Sequence, residues 1–240
     1  MISEAAIWHD LECGSYEADL ECWRTVASEY PGPILDVGAG TGRISLMLAA
    51  LGHEVTALDL DESLLAALSE RTNGASVETV CADARQFDLQ RRFALIIVPM
   101  LTVQLFGGSD GRARFLSLAA DHLLPGGCLV LAIADLLDDE DGAAGGEAPQ
   151  ADVCTIGDTG YSTRAVALSQ RDGQVGIERR REVAATDGSL DVQAATDWID
   201  VLSPEQLEAE GEAAGLTVEP RRMIPATDEY IGSAVICLGC

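Results

Sequence analysis

The sequence predicts a doubly wound α/β fold built on a mostly parallel sheet of seven strands. Three observations predict it. From Ile34 to Ala134 short apolar runs alternate with amphipathic stretches, the pattern of successive βαβ units. The first run ends in a glycine-rich turn, Gly38-Ala39-Gly40-Thr41-Gly42, directly before a helical pattern. The last run, Cys128 to Ala134, is apolar throughout, as a strand buried on both faces must be.

Each element has its own local cause. Ile34 to Val37 reads as the first strand; Ile44, Met47, Leu48 and Leu51 then fall at i, i+3, i+4 and i+7, one face of a helix that Gly52 can stop. Glu54 to Leu58 is the second strand, after which Asp61 can cap a helix burying Leu64, Leu65 and Leu68. Strands follow around Ser76 to Val80 and over Phe93 to Val98. Phe115, Leu116, Ala119 and Leu123 make the next helical face, ended by Pro125-Gly126-Gly127 before the fifth strand. Upstream of all this, Ile7 to Tyr30 interleaves apolar and aromatic residues as one or two helices.

Downstream the pattern changes. Asp138 to Gln150 is acidic, glycine-rich and without periodicity, a surface connection. Asp172-Gly173 and Asp187-Gly188 favour positive φ in hairpin turns, so a three-stranded antiparallel meander is expected over Tyr161 to Val201. Ser203-Pro204-Glu205-Gln206 combines an N-cap, proline at the first helical position and a capping-box partner. The helix it starts runs toward Gly215, and Leu216 to Arg221 and Tyr230 to Leu238 supply the closing strands.

The chain of 240 residues carries 40 acidic residues against 15 basic ones, a formal net charge of −25, and contains no lysine. That field repels a phosphate backbone and the arginines are scattered, which disfavours a nucleic-acid substrate. Seven cysteines follow an N-terminus without a secretion signal. No apolar stretch approaches the ~18–20 residues that span a bilayer, so a cytoplasmic protein with no membrane partner is expected. Cys237-Leu238-Gly239-Cys240 is a C-x-x-C, but a zinc site needs two more soft ligands nearby. The other cysteines and His9, His53 and His122 are dispersed, so no metal is expected.

The chemistry is carried by Ile34-Leu35-Asp36-Val37-Gly38-Ala39-Gly40-Thr41-Gly42-Arg43. Glycines let the backbone approach a ligand, and the helix start offers free N–H groups. A dinucleotide fingerprint would place glycine where Arg43 stands, which argues against pyrophosphate binding. Asp36 to Gly42 resembles the first motif of the class I S-adenosylmethionine-dependent methyltransferases, and the resemblance extends in order from Ile34 to Ala134.

That resemblance implies S-adenosylmethionine as cofactor, S-adenosylhomocysteine as product, and a Rossmann-like site. It implies donor contacts from Asp36, Gly38, Ala39, Gly40 and Gly42; from Asp59 at the end of the second strand, for the ribose, and from Leu60 after it; from Asp83 and Ala84, for the adenine; and from Pro99 after the fourth strand. Residues 1–30 would be an N-terminal helical lid, 31–136 the cofactor-binding core, 137–202 an acidic loop with a β insertion over the acceptor pocket, and 203–240 the final helix and closing strands. All form one domain.

Tyr16 in the lid is expected to touch donor or substrate, the alternative being that it packs the lid with Trp8 and Trp23. On one strand Arg179 and Arg181 share a face with Val175, Ile177 and Val183 by period two. They either bind an acceptor carboxylate or phosphate or pair with nearby acids, and Tyr161 and Trp198 either line the same pocket or pack the sheet. Methyl transfer to O or N of a small molecule is expected, with a general base optional; Tyr16, His9 and Asp135 are its candidates. A donor-binding module without turnover, a protein methyltransferase and a nicotinamide oxidoreductase are the competing readings.

Overall fold

The computed structural model describes residues 2–134, 150–227 and 230–240. Two helices, α1 (Glu4–Cys13) and α2 (Leu20–Glu29), precede β1 (Ile34–Val37), α3 (Arg43–Ala50), β2 (Val55–Asp59), α4 (Glu62–Arg71), β3 (Val77–Cys81) and β4 (Phe93–Val98). A short 3-10 helix at Thr102–Leu105 leads into α5 (Gly108–His122) and β5 (Leu123–Ile133). Four strands follow, β6 (Asp152–Ile156), β7 (Thr159–Arg171), β8 (Gln174–Ala184) and β9 (Leu190–Asp200), then α6 (Pro204–Ala213), β10 (Thr217–Ile224) and β11 (Ser233–Gly239).

The large sheet has the order β10-β11-β5-β4-β1-β2-β3, with β11 antiparallel to both its neighbours and β1 to β5 mutually parallel. Alternation sorts its residues between two cores. Leu35, Val37, Ile96 and Val98 pack with Phe115 and Leu116 of α5 and Leu207 of α6. Ile34, Leu95, Ile97 and Val130 pack with Trp23 and Val26 of α2 and Leu48 of α3. Burying helices on both faces is what the near-continuous apolar strands require.

β6 to β9 form a separate antiparallel sheet, in that order. The expected three-stranded meander is therefore four-stranded, because Gly157, with φ of +60°, turns β6 back onto β7. At Asp172-Gly173 both residues have positive φ, the two-residue turn expected. At Asp187-Gly188 only Gly188 does, and a longer loop over residues 185–189 joins Ala184 to its cross-strand partner Leu190.

Three further boundaries differ from expectation. Pro125-Gly126-Gly127 lies inside β5 as an irregularity, since Phe93 pairs with Leu123 and Leu95 only with Cys128. β10 runs on to Ile224, and β11 starts at Ser233 rather than Tyr230. The Asp61 cap and the Ser203–Gln206 capping box form as expected, Asp61 Oδ1 accepting the Ser63 N–H at 2.8 Å. Among the described residues no helix is long and apolar enough to cross a membrane.

Candidate active site

β1 and β4 are neighbours although β2 and β3 separate them in sequence. The sheet thus changes its direction of growth there, the switch point at whose strand carboxyl ends such sheets place their ligand crevice. Around it lie the glycine turn after β1, Asp59 at the end of β2, Asp83 after β3 and the buried Pro99 after β4.

Asp59 is fixed by the backbone around it. Its Oδ2 accepts the Gly40 N–H at 2.8 Å and its Oδ1 the Asp61 N–H at 2.9 Å. Each oxygen keeps a further acceptor position, so the carboxylate is oriented and still able to receive two hydroxyls. Beside it Leu60 is 68% exposed. Asp83 is gripped by Arg85, with Oδ1 accepting from its backbone N–H at 2.8 Å and Oδ2 from Nη2 at 2.7 Å. Those bonds hold its carboxyl below the usual carboxylate range. Ala84 is buried behind it.

Gly38 and Gly40 have φ of +74° and +55°. A Cβ on Gly38 would overlap the Thr102 side chain, and one on Gly40 the imidazole of His9. Both positions therefore need glycine for conformation and for space. Beneath the turn Asp36 is buried; its Oδ2 accepts the Ser45 hydroxyl at 2.6 Å while its Oδ1 has no hydrogen-bond partner. Burial raises its pKa to about 6, against the opposing pull of Ser45 and Arg43. A bare glycine cradle, an oriented carboxylate with two open positions, an exposed leucine and an orphaned carboxylate oxygen together fit an adenosyl amino acid such as S-adenosylmethionine.

The lid closes over this turn along one helix. His9 Nδ1 lies 3.2 Å from Thr41 Oγ1, and Asp10 accepts the Thr41 hydroxyl at 2.6 Å and Arg71 Nη1 of α4 at 3.0 Å. Burial pushes the His9 pKa below the usual imidazole range, although Asp10 and Asp59 pull it up. A neutral His9 packed on the turn is a poor candidate for a base that must reach an acceptor. From the other side of α1, Glu12 accepts Arg181 Nε and Nη2 at 2.7 Å each and the Thr163 hydroxyl at 2.9 Å. Trp8 meets Tyr161 edge-on with ring centroids 5.5 Å apart. α1 thus ties the donor turn to the small sheet.

Tyr16 sits between α1 and α2, its ring 4.7 Å from that of Tyr230 and its hydroxyl, close to Ser233, without a partner in hydrogen-bonding geometry. Burial, helped by Asp19, raises the pKa of the phenol, which keeps it protonated. Arg43 is consumed locally: it donates to both Asp19 oxygens at 2.6 and 2.7 Å and to the Tyr16 carbonyl at 2.7 Å.

On the small sheet, cross-strand pairing assigns faces. Tyr161 pairs with Val183, Thr163 with Arg181, Ala165 with Arg179 and Leu168 with Ile177, so these share the face that α1 covers at one end. Trp198 pairs with Gly176 and stands on the opposite face, stacked by the Arg171 guanidinium 3.6 Å from its ring. The structure therefore brings Tyr161, Arg179 and Arg181 together and leaves Trp198 apart. Arg181 and Tyr161 anchor the lid, whereas Arg179 Nε is 3.9 Å from Glu12, 3.8 Å from Asp197, and without a hydrogen bond. Asp135 lies outside the described residues.

Sequence reasoning missed Asp10, Glu12, Thr41, Arg85 and Thr102. The one signal available for the first two was that acids on a helix covering apolar structure need cationic partners; nothing local names those partners.

The family model described as a methyltransferase domain matches residues 34–127, the stretch from β1 through the glycines of β5. Residues 34–127 are a methyltransferase domain. Around this domain, the chain is 29% identical over 203 residues to the dTDP-3-amino-3,6-dideoxy-alpha-D-glucopyranose N,N-dimethyltransferase of Streptomyces fradiae, covering 84% of this chain and 76% of that one. It is 35% identical over 66 residues to an rRNA adenine N-6-methyltransferase of Corynebacterium diphtheriae, a stretch that spans 28% of this chain and only 26% of that protein. The crystal structure of the sugar N-methyltransferase KedS8 from Streptoalloteichus superposes with a TM-score of 0.74 at 20% identity, covering 98% of this chain and 93% of that one. The methyltransferase domain and its small sheet thus share one fold with KedS8, and the expected doubly wound class I methyltransferase architecture is borne out.

Proposed function

We propose that the chain binds S-adenosylmethionine at the carboxyl ends of β1 to β4 and transfers its methyl group to an amino nitrogen of a small acceptor held under the small sheet. The observation that carries the reading is Asp59, at the carboxyl end of β2, whose two oxygens are each held by one backbone N–H and each keep a further acceptor position. Two adjacent ribose hydroxyls match that pair. Leu60 and Asp83 flank it as an apolar surface and an acceptor for an adenine amino group.

When bound, the sulfonium donor supplies an activated methyl with its leaving group already attached. The chain's own residues then have to hold the acceptor in line and keep water out. α1 does the latter by spanning from Thr41 to Thr163. Past the end of α1, the inward face of the small sheet continues through Arg179, Ile177 and Leu168, the last of these 62% exposed. An acceptor with an apolar face and an anionic substituent suits that strip, the anion pairing with the partly exposed Arg179 guanidinium. The relative from Streptomyces fradiae is named for an amino sugar bearing a nucleoside diphosphate, which has both features. Burial keeps His9 neutral and Tyr16 protonated, which makes both poor bases for an acceptor amine. All seven cysteines are free thiols, which suits a cytoplasmic setting.

Calorimetric titration with S-adenosylhomocysteine tests the site: saturable binding by the native protein, lost in folded Asp59→Ala, is expected, and no binding by the native protein sinks the reading. Turnover is tested with dTDP-3-amino-3,6-dideoxyglucose, following mass gain on the sugar. Donor binding without turnover of that sugar or of amino-peptide acceptors would favour a binding module instead. Reduced nicotinamide dinucleotide should not bind, because Arg43 fills the third glycine position of a dinucleotide turn.

A further inference from the structure

The small sheet rejoins the core at the end of β9, so its orientation depends on how Asp200 is held against the core. One side chain ties Asp200 to the residue that follows β5. Gln104, on the 3-10 helix after β4, is fully buried. Its Oε1 accepts the Ala134 N–H at 3.0 Å, and its Nε2 donates to the Ala134 carbonyl at 3.2 Å and the Asp200 carbonyl at 2.9 Å. Ala134 follows the last residue of β5 and Asp200 is the last residue of β9. A primary amide offers one acceptor and two donors, and all three are used here.

The same short helix touches the donor turn. Thr102 donates to the Pro99 carbonyl at 3.0 Å, and its side chain fills the space over Gly38 where a Cβ would stand. Asp200 is in turn fixed by its side chain: Oδ2 accepts the Gly108 N–H at 2.7 Å and Arg112 Nη1 at 2.8 Å, and Oδ1 accepts Gln174 Nε2 at 2.9 Å. Arg112 is held by Glu210 of α6 at 2.7 Å. The end of β9 is thus registered to the donor turn through a chain of contacts from Gly38 through Thr102 and Gln104 to Asp200.

We propose that Gln104 is a positioning residue: it sets the distance and angle at which the small sheet presents an acceptor to the donor, without touching either. The inference rests on the methyltransferase reading. Its energetic logic is that in-line transfer tolerates little displacement, a shift of about 1 Å being able to cost on the order of 100-fold in rate, while Gln104 makes no bond to Asp59 at the end of β2 or to Asp83 after β3. Replacing the amide by an isosteric apolar chain keeps the packing and removes three bonds. A glutamate there would set a carboxylate against two carbonyls.

The test uses the full chain with Gln104→Met, S-adenosylhomocysteine titration, and steady-state kinetics with dTDP-3-amino-3,6-dideoxyglucose. Expected are donor affinity within about twofold of native and a kcat at least about tenfold lower, with acceptor KM changed much less. Unchanged kcat, or donor affinity falling in step with kcat, overturns the proposal, since the second is what a merely structural role predicts. If Gln104→Met does not fold, Gln104→Asn keeps the amide on an arm one methylene shorter. A lowered kcat at unchanged donor affinity supports the proposal there, and full activity overturns it. If the native protein binds the ligand but does not methylate this sugar, hydrogen exchange reads the clamp: faster exchange across residues 152–200 at unchanged donor affinity supports it, and unchanged exchange overturns it. Absence of S-adenosylhomocysteine binding by the native protein overturns the methyltransferase reading and the proposal together.

Discussion

The imidazole of His9 occupies the space above Gly40 that any side chain there would need. Lid and donor turn are therefore complementary, the helix supplying bulk where the turn supplies none. Gly40 also has φ of +55°, which costs an L-residue about 1–2 kcal/mol by itself. Gly40→Ala is expected to lose S-adenosylhomocysteine affinity and stability together. Adding His9→Ala should restore part of the stability, because it removes the overlap and leaves only the conformational cost. A double-mutant cycle by chemical denaturation measures this; strict additivity would mean that the lid does not seat on the turn.

Asp36 makes stability depend on pH with a definite sign. Its pKa is about 6 in the folded chain against 3.8 for a free aspartate side chain, so the native state binds more protons between those limits. The contribution is full below the lower value and is lost as pH rises through the upper one. Asp36→Asn keeps an acceptor for Ser45 and removes the buried charge. It is expected to be more stable than native above neutrality by up to about 3 kcal/mol, with the difference vanishing near pH 4, while donor affinity falls. Urea denaturation at several pH values checks it. A difference that grows on acidification would show that Asp36 is ionised and well solvated in the fold.

Glu12 and Arg181 are 169 residues apart in sequence and make a two-bond ion pair whose side chains are 8% and 22% exposed. Arg181→Met leaves Glu12 buried with the Thr163 hydroxyl and the more distant Arg179 guanidinium. The expected cost is about 2 kcal/mol, below the roughly 3–5 kcal/mol for breaking a fully buried pair, because some solvent reaches the arginine. The lid should then loosen from the small sheet and stay on the donor turn through Asp10 and Arg71. Limited proteolysis and exchange in α1 read this out; an undisturbed α1 would place its stability wholly on the Asp10 side.

What was legible in the sequence was what is local. Asp61 caps α4 through residues two and three positions away, and Ser203 and Gln206 bond each other across three. The Asp172-Gly173 turn follows from two adjacent residues able to take positive φ. The strand order of the cofactor half followed from repetition of one βαβ unit, and the glycine turn from needing backbone without side chains. Gln104 meeting Asp200 across 96 residues, or His9 meeting Gly40, has no local trace, because any buried amide or imidazole would read the same. Trp198 shows the intermediate case. Its strand is legible in the sequence, but which face it takes depends on the register that pairs Gly176 with it, and glycine suits that place because a Cβ there would stand only 2.9 Å from the indole.

Arg179 and Arg181 lie two residues apart on one face of β8, and the methyltransferase reading gives them opposite roles. Arg181 spends its donors on Glu12, whereas Arg179 stands nearly 4 Å from either neighbouring carboxylate with its Nε unbonded. A guanidinium this loosely paired keeps charge to spare, which an acceptor's anion would compensate. Arg179→Met should therefore raise the KM for an anionic amino-sugar acceptor about tenfold or more, the loss of one charge-assisted hydrogen bond, and leave S-adenosylhomocysteine affinity and stability close to native. The same substitution should scarcely affect a neutral amino sugar lacking the diphosphate. Leu168→Asp, on the same strip, should weaken both acceptors, since it sets a charge against their apolar face and against the anion alike. If Arg179→Met instead destabilises the fold as Arg181→Met does, both arginines serve the lid, and the anion is held elsewhere.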